Sequence, residues 1–156
     1  MLTKTRSTAA LVEELIDRSA SQAPGDRALL EAVVSGYLAA VAYAEVERTV
    51  ETILTNRFQE INDEKVSNFI AETWGKKQGR ISKSDIANLA KQFGDQCKAQ
   101  FNNTIDAQHE TFYYNLLKCR HDLAHGEPRN ETLLTAKNGI IAAEKLLEAL
   151  EQSIKQ

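Results

Sequence analysis

The stretch Leu116-Leu-Lys-Cys-Arg-His-Asp-Leu-Ala-His-Gly126 gathers the side chains best equipped for chemistry. Tyr113, Leu116, Leu117, Leu123 and Ala124 advance by threes and fours, and Arg120 falls in the middle of that apolar stripe. A guanidinium among apolar neighbours is costly unless an anion meets it. That anion is either a structural carboxylate or the phosphate of a substrate. His121 and His125 are i, i+4 neighbours on the adjoining edge, so both imidazoles lean to one side. An imidazole titrates near neutrality and can take or give a proton. His125 falls at the end of the helical pattern, where the dipole favours positive charge.

Two plainer readings compete with a reactive site. Helix C-termini collect basic residues for dipole reasons, so Arg120 could pair with a structural carboxylate while both histidines face solvent. Histidines at i, i+4 could also ligate zinc, and His121-Asp-Leu-Ala-His125 is close to the His-Glu-x-x-His pattern of metalloproteases. Asp122, however, is one methylene shorter than the glutamate that acts there as general base. No third ligand follows at a standard spacing, and the sequence predicts no metal site.

The elements that must position these residues are all helical. Ser7 to about Ala20 carries Leu11, Leu15 and Ile16 at helical spacing, until Pro24-Gly25-Asp26 breaks the pattern, with Asp26 placed to cap the next helix. Arg27 to about Asn62 reads as one long helix interrupted only by Gly36. At 1.5 Å per residue it would run about 50 Å, so a kink at Gly36 or a projecting end is expected. Asp63 opens a shorter helix that ends near Trp74, and Ser82 or Ser84 caps another that Gly94 closes. A further helical stretch begins at Asp95. Ala107 to His125 is the helix that carries the motif, stopped by Gly126 and Pro128, and Asn130 caps the last helix. The pattern predicts an all-α, up-and-down bundle of about five to six helices in a single domain, 1–156.

Composition agrees. Gly and Pro together make only 7 and 2 of 156 residues, too few for the turns of a β-sandwich or barrel. A hydrophobic share of 42% argues against disorder. No uninterrupted apolar run approaches 18 residues, and the first residues lack a signal-peptide pattern, so a cytoplasmic protein with no membrane segment is expected. Cys97 and Cys119 match no metal-ligand spacing and read as reduced thiols. No glycine-rich phosphate loop is present.

Arg120-His-Asp-Leu-Ala-His125 followed by Gly126 resembles the Arg-x4–6-His signature of the HEPN superfamily, the higher eukaryote and prokaryote nucleotide-binding domains. In that superfamily the residue after the arginine is commonly Asn, Asp or His, which His121 fits, and Ala-His-Gly is typical. A long early helix, a basic middle, the motif closing one helix and a long final helix are similar too, nearest the RiboL-PSP-type branch. The resemblance implies a helical domain that dimerises with two motifs facing each other. It also implies a metal-independent endoribonuclease of toxin–antitoxin or antiviral type that needs no cofactor. Arg120 and His125 match the catalytic pair, and His121 the polar position that assists. Glu47 is the candidate for an acidic residue that some members use on the early helix, with Glu45 competing. The alternative is a catalytically inactive HEPN module that binds a nucleotide or a partner protein.

RNA cleavage without a metal needs a base for the 2′-OH, an acid for the 5′-oxygen and a cation on the phosphorane. Histidines and an arginine supply these. A two-fold dimer supplies two His125 residues, one for each proton role. A cognate antitoxin or a fused or partner defence protein is expected besides RNA and a second copy. The candidate RNA contacts are Lys118, Arg129, Tyr114, Lys76, Lys77 and Arg80. Tyr114 shares the edge of His121 and His125, where it could stack a base, although aromatics on helical stripes are mostly core. Residues 76–98 carry six Lys or Arg against Asp85 and Asp95, net +4 in a chain of net −3. That segment could track an RNA backbone or form a solvated face. Low overall charge argues against promiscuous RNA coating and leaves a local RNA site open.

Overall fold

The computed structural model describes residues 1–74, 81–126 and 132–155. Among them run seven α-helices: α1 (Thr3–Arg18), α2 (Pro24–Gln59), α3 (Glu64–Trp74), α4 (Lys83–Lys91), α5 (Asp95–Thr104), α6 (Ala107–Ala124) and α7 (Leu133–Lys155). No strand occurs among the described residues, so the fold is the expected all-α bundle.

The long helix α2 packs against α1, α3, α6 and α7, and α7 against α1, α2, α4, α5 and α6. Helix α2 begins one turn earlier than the sequence suggests. Pro24 takes the first position, where its missing N–H costs nothing and its fixed φ suits the helix. Asp26 then sits in the first turn rather than at the cap, still opposite the positive end of the dipole. The helix runs unbroken through Gly36, whose missing side chain makes room for α6: a Cβ there would lie 3.0 Å from Leu123 Cδ2. Its core face (Leu38, Ala42, Val46, Val50) meets Tyr113 and Leu116 of α6 and Leu146, Leu147 and Leu150 of α7 in one apolar cluster. Each buried Leu or Val contributes about 1.5–3 kcal/mol relative to exposure. In length and apolar content α2 would suffice to cross a bilayer, with a mean hydropathy of 1.5 over its best stretch. Here the apolar side of that stretch serves as the spine of the bundle.

The second tight seam joins α6 to α7. A Cβ on Gly139 would meet Leu116 Cβ at 2.6 Å and the Phe112 carbonyl oxygen at 3.0 Å, so only glycine lets the helices approach this closely. Tyr113, 1% exposed, donates its hydroxyl to the Ile81 carbonyl at 2.6 Å and ties α6 to the segment leading into α4.

Helix ends are satisfied in several ways. Ser82 and Asp85 form a reciprocal capping box on α4. Asp106 caps α6 through the His109 amide and also bonds His109 Nδ1 at 2.7 Å. The start of α1 has no side-chain cap of its own. Carboxylates from other helices replace it: Glu45 of α2 accepts from the amides of Lys4 and Thr5 and from Thr5 Oγ1, and Glu144 of α7 accepts from the Leu2 amide and forks with Arg6. Glu31 of α2 likewise accepts from the Leu133 amide at the start of α7. The expected cap Asn130 lies outside the described residues.

Candidate functional site

The motif helix α6 stops as its residues require. The His125 amide donates to the carbonyls of His121 and Asp122, both at 3.2 Å, and Gly126 then turns the chain with φ +68°, a conformation that favours glycine. His121 and His125, one turn apart on α6, are both exposed at this end. Their ring centroids lie 4.4 Å apart with planes tilted by 53°. The expected pairing of the two imidazoles on one edge is therefore present.

Arg120 points to the other side of that edge, into the seam with α2. It is half-buried, with its guanidinium carbon 4.5 Å from the centroid of the Tyr43 ring. Among the described residues no carboxylate pairs with it, so the structural-carboxylate reading is not realised there. Tyr43 is the site residue that sequence reasoning missed. The only signal was its spacing, seven residues after Gly36 and four before Glu47 on the same side of α2.

The acidic residues near the motif divide by role. Asp122 is 3% exposed and bonded by Lys118 Nζ at 2.9 Å, an i, i+4 pair along α6. It is thus a buried structural carboxylate, with the half-exposed Lys118 as its partner. Glu45, the competitor of Glu47, is committed to the start of α1. Burial pushes its carboxyl up, yet the hydrogen bonds from Thr5 and Lys4 outweigh that and hold it below the usual carboxylate range. Glu47 lies one turn beyond Tyr43, half-buried, and makes no hydrogen bond or ion pair among the described residues. It shares the Tyr43 face but does not reach Arg120.

Tyr114 is 62% exposed, two and three turns before the two histidines on their own edge of α6. Of the basic middle segment, Lys76, Lys77 and Arg80 lie outside the described residues, as does Arg129. Its other lysines are engaged within the fold: Lys83 with Glu110 at 3.5 Å, Lys91 with Asp95 at 3.7 Å, and Lys98 with Asn88 at 3.0 Å. Among the described residues no three His, Cys, Asp or Glu side chains converge as a metal site, and Cys97 and Cys119 form no disulfide.

Beside the site, α2 exposes Val33 and Tyr37 at 50% and 58%, flanking the Gly36 position where Leu123, itself 39% exposed, packs. Large apolar side chains are thus left open beside Arg120 and the two imidazoles.

Comparison with known proteins gives one result. A family model described as RiboL-PSP-HEPN matches residues 7–156. No curated protein and no solved structure gives a significant match.

Proposed function

The chain belongs to the RiboL-PSP-HEPN family, a branch of nuclease-like or nucleotide- and protein-binding modules, and on that premise we propose that it is a metal-independent endoribonuclease acting as a homodimer. The observation that carries this reading is the state of Arg120. A half-buried guanidinium rests on an aromatic face, with no carboxylate partner among the described residues, beside two exposed imidazoles 4.4 Å apart. A structural arginine would meet a carboxylate; this one meets none among the described residues, and its N–H edges suit a phosphate.

The roles follow from the residue types. An imidazole of the His121–His125 pair takes the 2′-OH proton. The oxygen attacks the neighbouring phosphorus, and Arg120 stabilises the charge that grows on the phosphorane. Protonation of the 5′-oxygen completes cleavage, leaving a 2′,3′-cyclic phosphate and a 5′-hydroxyl. A second copy, docked through Val33, Tyr37 and Leu123, brings its own His125 to the opposite side of the scissile phosphate. Tyr114 offers a ring for stacking a base, and Lys118 a positive charge on the same helix. Lys76, Lys77, Arg80 and Arg129 add backbone contacts in this reading, and Glu47 serves as an auxiliary acid on the α2 face. The biological setting is a toxin held in check by a partner, or a defence effector in the cytoplasm.

The test is cleavage of structured RNA by the purified protein and its variants. Arg120→Ala and His125→Ala each abolish cleavage while the melting temperature and oligomeric state stay unchanged. Undiminished cleavage by both variants overturns the reading. A wild-type protein that binds RNA or a nucleotide without cutting it belongs to the alternative, a catalytically silent module.

A further inference from the structure

We infer that Tyr43 is a positioning residue for Arg120, holding the guanidinium by its face so that its N–H edges stay available to phosphate. The inference rests on the ribonuclease reading above and deepens it. Tyr43 is fixed twice: it sits near the middle of the longest helix, and it packs against the core cluster. Arg120 reaches it by the ordinary geometry of two antiparallel helices. Gly36 meets Leu123 and Tyr43 meets Arg120, so increasing numbers on α2 run against those on α6. Side chains tilt toward the N-terminus of their own helix, which on α6 is the direction of Tyr43. The contact therefore needs no unusual rotamer.

The choice of an aromatic partner has a chemical consequence. A carboxylate would occupy two of the five guanidinium donors and cancel the charge. A ring 4.5 Å from the guanidinium carbon holds the group by cation–π attraction without supplying a carboxylate oxygen to its N–H groups. The nearby acids are spent elsewhere, Glu45 on α1 and Asp122 with Lys118. Among the described residues the arginine is held yet bound to no carboxylate, as a group that must meet a transient phosphorane should be.

Four proteins decide the matter: Tyr43→Leu, Tyr43→Phe, Arg120→Ala and the Tyr43→Leu/Arg120→Ala double variant, each measured for melting, cleavage kinetics and affinity for a 2′-deoxy oligonucleotide. Tyr43→Leu is expected to lower kcat about tenfold, about 1.4 kcal/mol in transition-state stabilisation, with KM within about twofold. Tyr43→Phe keeps the ring and retains most of the rate, and Tyr43→Leu adds nothing once Arg120 is gone. Rates for Tyr43→Leu equal to wild type overturn the inference. So does an equal loss in both backgrounds, because Tyr43 would then act independently of Arg120. If the wild-type protein cuts no RNA, the ribonuclease reading falls and oligonucleotide affinity decides. Equal, non-additive losses in Tyr43→Leu and Arg120→Ala uphold the positioning role, and unchanged affinity in Tyr43→Leu refutes it.

Discussion

Replacing Gly139 with alanine places a methyl group 2.6 Å from Leu116 Cβ and 3.0 Å from the Phe112 carbonyl oxygen, atoms that no side-chain rotation can move away. Ordinary contact between carbons needs about 3.5–4.0 Å, so α6 and α7 must separate by close to 1 Å. Overpacking of this kind costs about 1–3 kcal/mol, and a clash with fixed atoms falls at the upper end. Alanine recovers about 1 kcal/mol of helix propensity, leaving a net loss of about 2 kcal/mol. For a chain of this size that lowers the melting temperature by about 4–8 °C. Gly36→Ala is the internal control. Its nearest neighbours are the methyl ends and Cβ of Leu123 at 3.0–3.2 Å, so a shift of a few tenths of an ångström relieves the contact. The propensity gain then offsets the cost, and stability stays within about 0.5 kcal/mol of wild type. The assay is thermal unfolding by circular dichroism on the three proteins at one concentration. A Gly139→Ala variant as stable as wild type would refute the close α6–α7 seam and the placement of the motif helix that depends on it.

Other consequences are quicker to check. Glu45 and Glu144 both titrate below the usual carboxylate value of 4.5; burial opposes this, and hydrogen bonds from Thr5 and Lys4, and from Arg6 and Leu2, outweigh it. Their contribution is thus complete above the unfolded pKa and is lost as pH falls through the lower folded values. Melting temperature should hold from pH 7 to about 5 and fall below about pH 4.5, with a shallower fall in Glu45→Gln. Ser35 Oγ is buried without a hydrogen-bond partner among the described residues. Ser35→Ala should therefore raise stability by about 1 kcal/mol, read as a melting temperature a few degrees higher, and a drop would contradict the packing around α2.

The helices were legible because periodicity, glycine and proline speak locally. Gly126 and Pro128 mark the end of α6 in the sequence, and Gly126 adopts the positive φ that position requires. The pairing of His121 with His125 was legible for the same reason, since i, i+4 spacing alone brings two rings together. The features that no local pattern encodes depend on contacts between distant parts of the chain. Thr3 begins α1 earlier than any local cap allows, because its missing cap comes from Glu45, 40 residues away from Thr5. Asp26 looked like a cap for α2, but Pro24 had already set the backbone. Glu45 and Glu47 were indistinguishable two residues apart until α1 engaged one of them. Tyr43 carries no signal beyond its spacing, since a tyrosine on a helix is ordinary until its neighbour across the seam is an arginine. Gly36, where a kink or else a projecting helix end was expected, is a close contact made possible by a missing side chain.

Whether Arg120 and the two histidines cut RNA with their own side chains is tested by mass spectrometry of the RNA ends that the purified protein produces in excess EDTA. Cleavage undiminished by the chelator is expected, with 2′,3′-cyclic phosphate and 5′-hydroxyl termini that vanish in His125→Ala. Ends bearing 5′-phosphates, or cleavage abolished by EDTA, would contradict the proposed mechanism.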